Sequence, residues 1–113
     1  MGVEPMGQYL LVESRDPFDS VDVEHTYDLG ARLAEERHDV AVFLVQNAVL
    51  ATRRSSAAAS KVEELSRQVA VYADDFSLRE RGIGDADLAP GVRQATIDDL
   101  VDMVAAGRKV IWH

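Results

Sequence analysis

The residues best suited to chemistry crowd into one stretch, Asp74-Asp75-Phe76-Ser77-Leu78-Arg79-Glu80-Arg81. The adjacent carboxylates of Asp74 and Asp75 can bind a hard divalent cation through oxygen, or one can hold its proton because its neighbour is charged. The plainer alternative is that one of them caps a helix and the other is solvated, since Asp is a favoured N-cap residue. Arg79 and Arg81, with Arg93, offer planar guanidinium forks for an anion or a partner's carboxylates. Their plainer reading is local pairing with neighbours such as Glu80. Ser77 and the amides of Gln46 and Asn47 add polar groups that suit a ligand or partner site.

Other chemistries lack their parts. There is no cysteine, which removes disulfides, thiolate nucleophiles, Cys-ligated zinc, iron–sulfur clusters and a persulfide carried on this chain. His25, His38 and His113 are dispersed and have no ligand partner at helical spacing, so no metal centre is expected. None of Ser14, Ser20, Ser55, Ser56, Ser60, Ser66 or Ser77 sits in a Gly-x-Ser-x-Gly elbow. Gly82-Ile83-Gly84 lacks the later glycine of a dinucleotide fingerprint, and no Walker loop occurs. No cofactor and no recognisable catalytic motif are therefore expected.

The elements that must position these groups follow from the apolar pattern. Tyr9 to Val12 reads as a buried strand stopped by Glu13 to Pro17. Ser20 can cap a helix in which Val23, Tyr27, Gly30, Ala31 and Ala34 recur at helical spacing, ending at Glu35 to Arg37. Val40 to Val45 is β-branched and apolar, as a strand buried on both faces should be. Ala48 to Ala51 makes a short helical turn and Arg53 to Ala59 a mobile loop, with Arg53-Arg54 its basic patch. Ser60 with Glu63 fits a capping box for a helix to about Arg67.

Val69 to Ala73 is a third strand, and Asp74 or Asp75 can cap a short helix closed by Gly82. After a loop from Ile83 to Pro90, Val92 to Ala95 is a weaker strand. Thr96 with Asp99 caps a helix lined by Leu100, Val101 and Val104 and closed by Gly107; Val110 to Trp112 is the last strand. This alternation predicts a mostly parallel sheet with helices on both faces. Ligands then belong at the carboxyl ends of the strands: Glu13 to Asp16, Gln46-Asn47 and Asp74-Asp75.

Three pieces of this order resemble one family. Arg81-Gly82-Ile83, the run from Arg37 through Gln46-Asn47-Ala48-Val49, and the terminal Val110-Ile111-Trp112 are similar to the helix exit, second strand and last strand of the DsrE/DsrF/DsrH-like sulfur-relay proteins, the TusBCD type included. The resemblance spans Tyr9 to Trp112. It implies a three-layer α/β/α sandwich, flavodoxin-like in outline, with about five strands in a single domain over residues 1–113. It also implies a homo-oligomer (trimer or hexamer) or a hetero-oligomer with related subunits, the elbow regions lying near subunit contacts. Members that carry sulfur place a cysteine about eight residues before the exit glycine. Here that position is Asp74, and Ser77 stands where some members have a second cysteine.

A carboxylate cannot hold sulfane sulfur, and a serine hydroxyl does not replace a thiolate. The expectation is a non-catalytic subunit, a structural or regulatory partner in sulfur trafficking or a relay adapted from it. The alternative is a small-ligand binder or enzyme in which Asp74 serves as acid/base or cation ligand beside Asp75, Ser77, Gln46 and Asn47. A flavin site is disfavoured, because Glu13 to Asp19 is acidic and lacks a phosphate cradle.

Bulk properties agree with one small domain. The chain has 113 residues, 47% hydrophobic and 28% charged, and a domain commonly runs to about 100–150 residues. A formal charge of −8 argues against nucleic acid or an anionic membrane as partner. No apolar run approaches the ~20 residues that span a bilayer. Met1 to Gln8 holds Glu4 and no basic residue, unlike a secretory leader, so a cytoplasmic location is expected. The weakly charged stretch Ala51 to Ala59 is the expected symmetric contact surface.

Overall fold

β2 (Asp39–Leu44) is the centre of the molecule because nothing in Val-Ala-Val-Phe-Leu needs water on either side; every residue from Val40 to Val45 is buried. The computed structural model describes residues 7–113. The lack of a basic leader in Met1 to Gln8 concerns residues largely outside that range. β1 (Gln8–Glu13), β3 (Ala70–Asp74), β4 (Val92–Ala95) and β5 (Lys109–Trp112) join β2 in a five-stranded sheet of order β4-β3-β2-β1-β5. Every pairing is parallel, so the expectation of a mostly parallel sheet of about five strands is met and exceeded.

The strand order explains how the two faces are covered. The chain steps from β1 to β4 in one direction, with α1 (Asp22–Glu35), α2 (Ala59–Ser66) and α3 (Asp75–Glu80) supplying Val23, Tyr27, Val62, Leu65 and Leu78 to one core. Leu11, Val42, Leu44, Val71 and Ala73 are its strand residues. Gly30 lets α1 sit close on the sheet, for a Cβ there would lie 3.3 Å from Leu11 Cδ1. The return to β5 runs over the opposite face through α4 (Ile97–Ala105). There Leu10, Val12, Ala41, Phe43, Val45, Ala95 and Leu100 form a second, smaller core, with Tyr72 stacked on Phe43 at 6.0 Å.

Helix starts follow the sequence unevenly. Thr96 and Asp99 form the expected reciprocal box: Asp99 N–H donates to Thr96 Oγ1 at 3.2 Å and Thr96 N–H to Asp99 Oδ2 at 2.8 Å. Ser20 makes no cap; the N-cap of α1 is Val21, because residues 16–20 wind as a turn in which the Asp16 carbonyl accepts the Asp19 and Ser20 amides. Ser60 and Glu63 are likewise not a box. α2 already starts at Ala59, after a turn in which Ser56 Oγ accepts the Ala58 amide, so Ser60 is inside the helix. β3 starts at Ala70, one residue later than read, with Val69 buried just ahead of it.

The segment read as a mobile loop is bonded at its ends. A 3₁₀ run covers Gln46–Thr52, Arg53 bridges Leu88, and Arg54 N–H donates to the Asp87 carbonyl at 2.7 Å. Ala51 and Ala58 are core residues, so within Ala51 to Ala59 the accessible surface comes mainly from the residues between them, with Arg54, Ser55 and Ala57 exposed. A further 3₁₀ turn, Asp85–Asp87, lies within the Ile83–Pro90 connection.

Candidate functional site

β3 ends in extended backbone at Asp74, which makes it the N-cap of α3. Its Oδ2 accepts from the Ser77 amide at 3.0 Å and from the Ser77 hydroxyl at 2.6 Å. That hydroxyl in turn accepts the Gln46 amide at 2.8 Å, tying the carboxyl end of β2 to the start of α3. Gln46 takes φ +51°, a left-handed conformation that costs a non-glycine residue about 1–2 kcal/mol, and only Val45 separates it from β2. One turn further along α3, Arg81 donates from Nε (3.2 Å) and Nη2 (2.9 Å) to Asn47 Oδ1, and from Nη1 (3.1 Å) to the Ser77 carbonyl.

Five of the seven residues singled out by type, Gln46, Asn47, Asp74, Ser77 and Arg81, therefore line one open cleft of about 720 Å³. Asp75 and Arg79 do not. They pair with each other at 3.1 Å on the exposed side of α3, the local arrangement expected of an i,i+4 pair. Thus Asp74 is the cap and Asp75 the partly solvated neighbour, and the two carboxylates do not act as a pair.

Asp74 is only 3% exposed, and its Oδ1 is buried with no hydrogen-bond partner among the described residues. A buried polar atom left without a partner is costly, about 1–3 kcal/mol and more when charged. This atom is the one unspent acceptor of the Asp74–Ser77–Gln46 chain. The apolar walls come from residues the sequence did not mark: Phe76 from α3, Ile97 and Leu100 from α4, and Trp112 from β5, with Glu80 at the side. The signals for them were weak. Ile97 directly follows the Thr96 cap, and Trp112 shares a strand face with Val110 by alternation.

A second polar cluster sits at the carboxyl end of β1. Glu13 is fully buried; its Oε2 accepts the Arg15 amide at 3.0 Å and its Oε1 lies 2.7 Å from His113 Nδ1. The His113 carbonyl accepts from the Ser14 amide and hydroxyl, both at 2.9 Å, so this cluster clasps the end of β5 to β1. Tyr27 packs in the same core with its hydroxyl unpartnered. Its pKa is raised by burial first, and then by the charges of Glu13, Asp16 and Glu24.

A family model described as DsrE/DsrF-like matches residues 8–113. No curated protein matches the chain. Among solved structures, the YchN protein of E. coli superposes with a TM-score of 0.88 at 25% identity, covering 96% of this chain and 100% of that one. The protein MTH1491 of Methanobacterium thermoautotrophicum, described as of unknown function, gives 0.79 at 24% identity, covering 93% and 99%. The protein BT1422 of Bacteroides thetaiotaomicron, also of unknown function, gives 0.73 at 11%, covering 92% and 94%. The latter two share the fold.

Proposed function

The chain belongs to the DsrE/DsrF-like family, and we propose that it serves there as a non-catalytic subunit, a structural or regulatory partner in sulfur trafficking or a relay adapted from it. One observation carries this reading. The chain has no cysteine, and the elbow position that bears the thiol in sulfur-carrying members is Asp74, whose carboxylate is engaged as a helix cap. Sulfane transfer needs a thiolate to attack and to hold the sulfur, and neither Asp74 nor Ser77 supplies one.

What is left is a scaffold with surfaces. Phe76, Ile97, Val101, Val104 and Trp112 are exposed apolar side chains on neighbouring elements, which supports assembly with copies of itself or with related subunits. The test is recovery of partners: a tagged chain, cross-linked in its own host and purified, is expected to bring down thiol-bearing sulfur-relay proteins. Recovery without any such protein overturns the sulfur setting.

A second reading, a small-ligand site at the same elbow, is supported by the unpartnered Oδ1 of Asp74. A ligand at a hundred times its dissociation constant adds about 2.7 kcal/mol of stability, so a thermal shift with divalent cations, nucleotides or small anions that disappears in Asp74→Ala would favour it.

A further inference from the structure

We infer that the cleft between α3, α4 and the end of β5 binds a small zwitterion: an ammonium and a carboxylate carried on an apolar body, as in a free apolar amino acid. This rests on the ligand-binding reading of the same cleft. Three charged side chains line it, Asp74, Glu80 and Arg81, and none is ion-paired with another. Asp74 is nine-tenths and more buried, its Oδ2 is occupied by Ser77, its Oδ1 is unpartnered, and no cation stands within 4.0 Å of it among the described residues.

Among the described residues Arg81 faces only neutral acceptors, Asn47 Oδ1 and the Ser77 carbonyl, and has no carboxylate within the same distance. Three of its five N–H groups are used in this way, which leaves one on each terminal nitrogen, a fork suited to a carboxylate. An ammonium alone would satisfy Asp74 and be repelled by Arg81. A carboxylate alone would satisfy Arg81 and be repelled by Asp74 and Glu80. A bare divalent cation would meet one free buried oxygen beside a guanidinium, and no group of three or more metal-ligating side chains is present among the described residues. A zwitterion answers both charges, and Phe76, Ile97 and Trp112 then bury its apolar part.

The experiment titrates the full chain with L-phenylalanine and with its two halves, 2-phenylethylamine and 3-phenylpropionate, by calorimetry and thermal shift. The zwitterion is expected to bind about tenfold or more tighter than either half, the worth of one charge-assisted hydrogen bond. Asp74→Asn, which keeps an oxygen for the cap, and Arg81→Gln should each remove that advantage while far-UV circular dichroism stays native. Perturbation of the Trp112 indole resonance by L-phenylalanine in the wild-type protein gives a reading independent of any variant's folding. If either half binds as tightly as the zwitterion, the two-charge site is overturned although a ligand site remains. If none of the three binds, this inference fails, and the cation, nucleotide and anion series decides the broader ligand reading separately.

Discussion

Tyr27 shows how far a single buried hydroxyl can govern stability. It packs in one core with Val23, Leu11 and Leu44, yet its oxygen has no partner among the described residues, and burial, reinforced by Glu13, Asp16 and Glu24, opposes its ionisation. In the unfolded chain a tyrosine loses its proton near pH 10; in the folded one Tyr27 keeps it to higher pH. The native state therefore binds more protons than the unfolded state above that pH, and stability present below it is lost as pH rises. Tyr27→Phe should flatten the alkaline fall in melting temperature measured between about pH 9 and 11, relative to wild type. At neutral pH the same change should be neutral or stabilising by up to about 1 kcal/mol, because it removes a polar group that is desolvated without return. A steeper alkaline fall in the variant would show that Tyr27 is not the group responsible. Asp74 Oδ1 is orphaned in the same sense, on a residue that lines the open cleft. Tyr27 also lines a cleft, a smaller one between α1 and α2 beside Glu24, Asp28 and Lys61.

Helix ends supply the test at the next scale. α1 and α3 finish alike: His38 N–H donates to the Leu33 carbonyl at 3.0 Å and Ile83 N–H to the Leu78 carbonyl at 2.9 Å, each around a left-handed residue. In α3 that residue is Gly82 (φ +67°), but in α1 it is Arg37 (φ +70°), whose Cβ is disfavoured there. Arg37→Gly should raise unfolding stability by about 0.5–1 kcal/mol and Gly82→Ala lower it by about 1 kcal/mol, read from urea midpoints at unchanged slope. Equal losses in both would mean that side-chain contacts, not backbone strain, decide these ends. Gly82 was legible from sequence because glycine after an amphipathic run is a strong stop signal. Arg37 was visible only as the polar end of a helix. The strands were legible for a related reason, since Val40 to Val45 and Val69 to Ala73 are apolar on both sides and only a covered parallel sheet accommodates that. Ser20 and Ser60 misled because backbone turns ahead of α1 and α2 had already taken over the capping. In the candidate cleft, Gln46, Asn47 and Asp74 were legible from the rule that strand carboxyl ends gather ligands, and Ser77 and Arg81 from their residue types and the family resemblance. Asp75 and Arg79 fell away because neighbouring helical positions differ by about 100° around the axis. Ile97 and Trp112 depend on the return of the chain across the second face, which brings them beside Phe76 of α3. That return is a property of strand order, which local pattern does not contain.

The same return leaves the molecule unevenly clothed. Three helices pack on one face, while α4 alone covers the other and turns only Leu100 fully inward. Ile97, Val101 and Val104 fall at i, i+4 and i+7 and are exposed, beside an edge strand β5 whose four residues are all exposed. Trp112, at 62% exposure, and Phe76, at 56%, extend this apolar surface to the cleft. Edge strands with an apolar flank are templates for pairing, and large exposed apolar patches are common places of association. A second copy of this chain brings the same apolar stripe and can meet it about a two-fold axis or in a closed ring. The native mass should accordingly be two or more times 12.4 kDa by light scattering or native mass spectrometry. Val101→Glu with Val104→Glu should return the particle to a single chain without loss of a cooperative melt, since substitutions at exposed positions shift folding by only about 0.5 kcal/mol. Ala57→Glu, an exposed change in the segment that sequence alone favoured as the contact, should leave the mass unaltered. Dissociation by Ala57→Glu and not by the α4 pair would move the interface to residues 51–59, and a wild-type protein that stays monomeric at high concentration would remove the assembly altogether.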